Sequence, residues 1–193
     1  MGDIFSAKIL NQVWGLALVT LLTMQIACKS VDPEDPKCYN PDVAWAKGER
    51  YTLEGDRVNF VEIPYHNETV EEGKEIKWVY LRLDDNSGFI GAVKFRELMA
   101  SEIPAGAQPG DFVKLLIRID VPGWYYVPGI TNVKVGGFND MPSEDISLEQ
   151  LDIHEGTATQ KTGNTWEYYE VVLPRYLYYS VYVEAQQVTQ CTN

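Results

Sequence analysis

The chain has 193 residues, of which 16 are Lys or Arg and 28 are Asp or Glu, so its net charge at pH 7 is −12. No run of basic residues offers phosphate a neutralising surface, which argues against nucleic acid and anionic membrane surfaces as partners. The acidity by itself indicates only solubility.

An apolar segment, residues 13–27, follows a short stretch with one base, Lys8, and ends at Cys28. A membrane-spanning helix needs ~20 apolar residues, so this segment is too short to span comfortably. Its length and position are typical of the apolar core of an export signal.

The residues before Cys28 are Ile26 and Ala27. This pattern resembles the signal of bacterial lipoproteins, although Gln25 stands where that pattern prefers leucine. The resemblance implies that residues 1–27 are an export signal and that Cys28 carries lipid. It also implies a membrane-anchored lipoprotein of the cell envelope, either periplasmic or surface-exposed. Ordinary cleavage and an uncleaved anchor are the alternatives.

Residues 28–41 contain Pro33, Pro36 and Pro41 among acidic residues, a composition that predicts a lipidated, extended tether. Residues 42–193 suit one domain. Cys38 and Cys191 lie near its two ends, and in an oxidising compartment we expect them to form a disulfide. The alternative is that they are free thiols, one of them a nucleophile.

Alternating apolar and polar residues predict strands at 112–121 and 176–188. Apolar runs bounded by turn residues predict further strands at 51–54, 57–63, 75–83, 89–93, 131–138 and 165–173. Helical spacing of Phe95, Leu98, Met99 and Ile103 predicts one short helix over 94–103. Residues 146–153 fit either a bulged strand or one helical turn.

This series of short strands predicts an all-β fold, an antiparallel β-sandwich of the jelly-roll or immunoglobulin-like kind with one short helix. A closed, lipocalin-like barrel is the alternative.

The sequence carries no catalytic motif that we can identify, and we expect no enzymatic activity. Its two histidines, His66 and His154, have no zinc-type spacing, and the glycine patterns of nucleophile elbows and nucleotide loops are missing. Asp152 with His154 could form an acid–base pair, but two such residues near Gly156 are more often a solvated strand end.

Asp84, Asp85 and Asn86 form a cluster of hard oxygen ligands that could hold a structural calcium ion. The turn of a β-hairpin explains the same residues more simply. A second acidic loop, with Asp140 and Glu144, has the same weak resemblance to a metal site.

Trp124, Tyr125 and Tyr126 lie between two Pro-Gly pairs, which predicts a turn-bounded segment at the tip of the fold. Exposed rings in such a position would bind a ligand by stacking. The alternative is that these rings cap the core. Tyr176, Tyr178 and Tyr182 are predicted on the outer face of a strand, as cross-strand packing partners.

These features together predict a lipid-anchored, non-catalytic carbohydrate-binding accessory module. A protein-interaction or assembly subunit of an envelope complex is the alternative, and a lipocalin-like small-ligand carrier is a third. Glycan binding requires coplanar exposed rings beside polar groups, whereas protein binding requires a contiguous apolar patch or an unprotected strand edge.

Overall fold

The chain divides into two compact units, residues Met1–Pro36 and Lys37–Asn193. The structure, a computed structural model, describes residues 37–48, 59–64, 71–85, 87–142, 146–159 and 168–191, all in the second unit. The predicted export signal and Cys28 lie outside these residues.

The second unit is built from short β-strands. They are β1 Lys37–Lys47, β2 Val61–Glu62, β3 Glu75–Leu83, β4 Phe89–Arg96, β5 Phe112–Ile119, β6 Trp124–Tyr126, β7 Val133–Phe138, β8 His154–Gly156, β9 Tyr169–Pro174 and β10 Tyr178–Gln190. Two single 3-10 turns, Ala100–Glu102 and Leu148–Gln150, are the helical elements among the described residues, which contain no α-helix.

All these strands belong to one antiparallel sheet with the order β8-β7-β10-β1-β3-β4-β5-β9. The long strand β10 also pairs with β2 and β6. The sheet is nearly closed into a barrel-like shape, because its two end strands approach each other where His154 Nε2 lies 2.7 Å from Tyr169 Oη.

The prediction of an antiparallel all-β fold is confirmed, but the two-sheet sandwich is wrong, since every described strand is part of one sheet. The barrel alternative is closer to the structure. Period-two alternation shows which side chains face inward, but it is the same for one curved sheet and for two stacked ones.

The predicted helix over 94–103 is also wrong. Residues up to Arg96 belong to β4, and helical geometry is limited to the turn at Ala100–Glu102. Phe95 is fully buried while Met99 is 50% exposed, so the apolar residues with helical spacing do not share a face. In the ambiguous segment 146–153, the structure has one helical turn.

The inward-facing side chains form a continuous core inside the sheet, and its largest fully buried members include Phe95, Leu115, Ile117, Leu173 and Tyr179. A smaller cluster lies on the other face of the sheet and contains Trp45, Phe60, Ile146, Leu151 and Tyr182. Tyr182 packs edge-on to Trp45 with ring centroids 5.0 Å apart, which confirms its predicted packing role. Burial raises the pKa of Tyr182 to about 12.

The disulfide between Cys38 and Cys191 is present and confirms that prediction. It joins the start of β1 to the residue after β10 across 153 positions of sequence. Residues 37–41, assigned above to the tether, form the first part of β1. Pro41 is tolerated there because the pairing of β1 with β3 begins only at Ala44.

Asn132 is a buried side chain that fixes the approach of two loops. Its Nδ2 donates to the carbonyl oxygens of Val127 and Ala158, both at 2.8 Å. Its Oδ1 accepts from the Ala158 amide at 2.7 Å. Because all these amide groups are paired, the buried polar side chain is stabilising rather than costly.

Candidate binding face

The segment Trp124–Tyr126 is a short strand, β6, that pairs with β10 and is not a loop tip. Tyr126 is 7% exposed, and its hydroxyl donates to the Ile117 carbonyl at 3.2 Å. Burial raises the pKa of this phenol. Trp124 packs against the interior core, and only Tyr125 is exposed. The three rings therefore do not form one surface.

Asp84 and Asp85 lie in the turn between β3 and β4, while Asn86 lies outside the described residues. The Ser87 amide donates to Asp85 Oδ1 at 2.8 Å, and the Asp84 amide donates to the Val43 carbonyl at 3.0 Å. The first bond is typical of a tight turn, and the second continues the pairing of β3 with β1. Within the described ranges, no group of three or more His, Cys, Asp or Glu could hold a metal ion.

The two members of the predicted acid–base pair lie in different surroundings. Asp152 is exposed and precedes β8, whereas His154 is half-buried against Tyr169. His66 and Glu144 lie outside the described residues.

The strongest surface feature is a group of exposed rings on the outer side of β3 and β4. Trp78, Tyr80 and Phe89 are 37%, 40% and 50% exposed. Alternation places Trp78 and Tyr80 outward because Val79 and Leu81 between and beside them are buried in the core. The rings touch in series, with centroids 4.6 Å apart from Trp78 to Tyr80 and 5.0 Å apart from Tyr80 to Phe89.

Strand pairing continues this surface across β4 and β5. Tyr80 lies opposite Ala92, and Ala92 lies opposite Arg118, so the side chain between the ring and the guanidinium is small and buried. Tyr168, just before β9, closes the far side, with the Arg118 guanidinium 5.1 Å from its ring centroid. We call Trp78, Tyr80, Phe89 and Tyr168, with Arg82, Lys94 and Arg118, the outer aromatic face.

Each base on the outer aromatic face lies over a ring. Arg82 is 5.5 Å from the centroid of Tyr80, and Lys94 is 5.9 Å from that of Tyr168. Cation–π attraction at such distances holds the long side chains close to the rings. The rings and bases therefore form one ordered surface rather than separate side chains.

The bases on this face are matched by acids. Lys94 pairs with Glu75 at 3.1 Å, and Arg118 pairs with Asp120 at 2.7 Å. The hydrogen bond to Glu75 is the main reason that the pKa of Lys94 is raised. A chain with a net charge of −12 thus has a face on which opposite charges alternate.

One end of this face is fixed by a carboxylate that accepts four hydrogen bonds from three residues. Glu102 accepts from Arg96 at 2.7 and 2.8 Å, from Lys114 at 2.7 Å and from the Met99 amide at 3.0 Å. The bond from Arg96 is the largest cause of the strongly lowered pKa of Glu102. These bonds tie the 3-10 turn after β4 to β5, so the sheet beneath the rings has a fixed edge.

The apolar run at 75–83 predicts a strand but does not indicate that rings on it are exposed. The signal was present in Trp78, Tyr80 and Arg82, which alternate with aliphatic residues. Whether an outward ring is covered depends on distant loops, which alternation does not reveal.

No family model matches the chain, and neither a curated protein nor a solved structure shows a significant match to it. Of the helical turns in the described part of the chain, none is long and apolar enough to cross a membrane.

Proposed function

We propose that this protein is a non-catalytic binding module of the cell envelope that holds a partner protein through the outer aromatic face. The observation that carries the proposal is the contiguous series of exposed rings Trp78, Tyr80 and Phe89. Trp, Tyr and Arg are the residue types that dominate protein interfaces, and contiguous exposed apolar patches mark such sites.

Ring orientation favours a protein over a glycan. The planes of Trp78 and Tyr80 meet at 72°, and those of Tyr80 and Phe89 at 43°. A sugar chain stacks on rings that present parallel faces, whereas a protein side chain fits between rings set at an angle. The alternating charges of this face also reduce the repulsion that the acidic chain would exert on an acidic partner.

The carbohydrate-binding accessory module is the second candidate. One observation favours it: Arg82, Lys94 and Arg118 bring hydrogen-bond donors next to ring faces, the combination that binds sugar hydroxyls beside a stacked pyranose. The lipocalin-like carrier has less support, since buried side chains such as Phe95, Leu115 and Tyr179 fill the described interior of the sheet.

We infer that the module is anchored by lipid on Cys28, outside the described residues. The disulfide between Cys38 and Cys191 supports export, because such bonds persist in oxidising compartments. Cys28→Ser should release the protein from the membrane fraction or leave its signal uncleaved. Mass spectrometry that finds an unmodified Cys28 in membrane-associated wild-type protein would contradict the anchor.

A photo-crosslinking amino acid at position 78 of the full chain, in its native envelope, tests the binding face. We expect a discrete crosslinked protein, because the Trp78 ring is exposed within the face. The control is the same amino acid at position 39, where Tyr39 is 58% exposed on the first part of β1.

Equal crosslinking at positions 39 and 78, or none at 78, would contradict the protein-binding proposal. Crosslinking of position 78 to polysaccharide alone would replace it by the carbohydrate-binding one.

A further inference from the structure

The two end strands of the sheet meet without backbone pairing in the described part of the chain. β9 pairs with β5, and β8 pairs with β7. The Arg175 amide donates to the Asp111 carbonyl at 2.8 Å. Every second amide of an antiparallel strand points to the same neighbouring strand, so the amides of Val171 and Leu173 also point toward β5. The backbone groups of Glu170 and Val172 then point away from β5, to the open edge of the sheet.

Side chains close this gap, which we call the seam. His154 Nε2 of β8 and Tyr169 Oη of β9 are 2.7 Å apart. A Cβ placed on Gly156 would lie 1.8 Å from Tyr169 Oη and 2.8 Å from His154 Nε2. Glycine is therefore required for the hydroxyl to reach the backbone of β8.

The charged and titratable groups around His154 come from four elements. Tyr169 faces it from β9, and Tyr126 of β6 lies near Tyr169. On β8 itself Glu155 follows, and it pairs with Lys134 of β7 at 2.7 Å. Asp152 precedes β8 and is exposed. Burial lowers the pKa of His154 more than Glu155 raises it, so the closed seam favours the neutral imidazole.

We propose that the seam is a proton-operated closure, in which the neutral imidazole of His154 holds β8 against Tyr169 of β9 and its protonation separates the two strands. In the closed seam the neutral ring can accept the short hydrogen bond from the Tyr169 hydroxyl. The imidazolium could keep the contact only by donating its Nε2–H to the Tyr169 oxygen, and it would lose hydration against the tyrosine ring, so protonation weakens the closed seam. The proposal rests on the fold and does not depend on the proposed partner.

The direction of the pH effect follows from linkage. A hydrated imidazole in the open seam has its ordinary pKa, about 6.5, and the closed seam has a lower one. The open state therefore binds more protons, and acid favours it. Opening should increase as the pH falls below about 6.5, by no more than tenfold per pH unit for one titrating group.

Hydrogen exchange measured by mass spectrometry on the full chain at pH 7.5 and 5.5, corrected for intrinsic exchange, tests the closure. Peptides covering β8 and β9 should lose protection several-fold at the lower pH. Peptides covering the β1–β10 pairing should not. His154→Gln keeps a carbonyl acceptor but cannot titrate, so its seam should show no such pH response.

Tyr169→Phe keeps the ring and removes the hydroxyl, and it should lower protection at the seam at both pH values. Unchanged protection of wild-type β8 and β9 between the two pH values would overturn the proposal. An equal pH response in His154→Gln would overturn it as well. If that variant does not fold, NMR on the wild type replaces it. Titration of His154 with no change in the signals of Gly156 and Tyr169 would then overturn the proposal.

Discussion

At the scale of single residues, glycine sets how closely two strands of the sheet can approach. Gly91 of β4 lies opposite Ile119 of β5, and a Cβ at this position would be 1.9 Å from the Arg118 carbonyl oxygen. This oxygen belongs to the backbone of β5, which cannot move away from a Cβ as the end of a flexible side chain can. Position 91 therefore requires glycine because a Cβ has no space there, and not because the backbone has an unusual φ angle.

Gly91→Ala should lower the free energy of unfolding by about 1–3 kcal/mol, the usual cost of overpacking. The matched control is Gly88→Ala, immediately before the same strand, where a Cβ would meet no atom within 4 Å. That change should stay within about 0.5 kcal/mol of wild type. Urea unfolding measures both, and equal stabilities of the two variants would show that the β4–β5 contact is not as close as the structure has it.

A buried ion pair is a second residue-scale feature that the sequence did not reveal. Glu97 is fully buried, and its carboxylate accepts from Arg175 Nη2 at 2.5 Å. Arg175 Nε also donates to the Gly110 carbonyl at 2.6 Å. The two residues are 78 positions apart, and nothing in the local sequence distinguishes this Glu and Arg from solvent-exposed ones.

At the scale of elements, long alternating segments were predicted well. In β5 and β10 the alternating apolar residues that predicted these strands, such as Leu115, Ile117, Val181 and Val183, are buried. Short elements were not predicted well, because three residues contain too little periodicity to distinguish a strand from a turn. β6 is such a case, since it is a strand only through its pairing with β10.

The ambiguity of short apolar patterns also explains why the helix predicted over 94–103 is wrong. Spacing of three and four residues between apolar positions fits a helix, but it also arises where a strand ends and a loop returns to the core. Phe95 is inside the sheet as part of β4, and Leu98 is buried from the loop that follows it. The backbone between them has no helical turn because β4 pairs with both neighbouring strands up to Arg96.

At the scale of the whole molecule, the disulfide was predictable and the closure of the sheet was not. Two cysteines near the two ends of one domain, Cys38 and Cys191, leave few possible pairings. Closure depends on contacts between the two end strands, such as that of His154 with Tyr169, and these ends meet only in the folded sheet. Strand order, and with it the neighbourhood of any surface residue, is not encoded in local periodicity.

The candidate site was also predictable from the sequence only in part. Composition directed attention to the dense aromatic segment at Trp124–Tyr126, which the structure distributes between core and surface. The outer aromatic face instead combines β3, β4 and the residue before β9, which come together only in the folded sheet.

The central claim is that the outer aromatic face, and not Trp124–Tyr126, holds the partner. Paired variants of the tagged full chain test it most directly, by the amount of partner that copurifies from the native envelope and by urea unfolding. Trp78→Ala should lose most of the copurifying protein and keep its stability within about 1 kcal/mol, because Trp78 is exposed. Trp124→Ala should retain the partner and lose stability, by up to about 3–5 kcal/mol, because Trp124 packs on the core. Full partner recovery with Trp78→Ala, together with loss of the partner in a stable Trp124→Ala, would contradict the account.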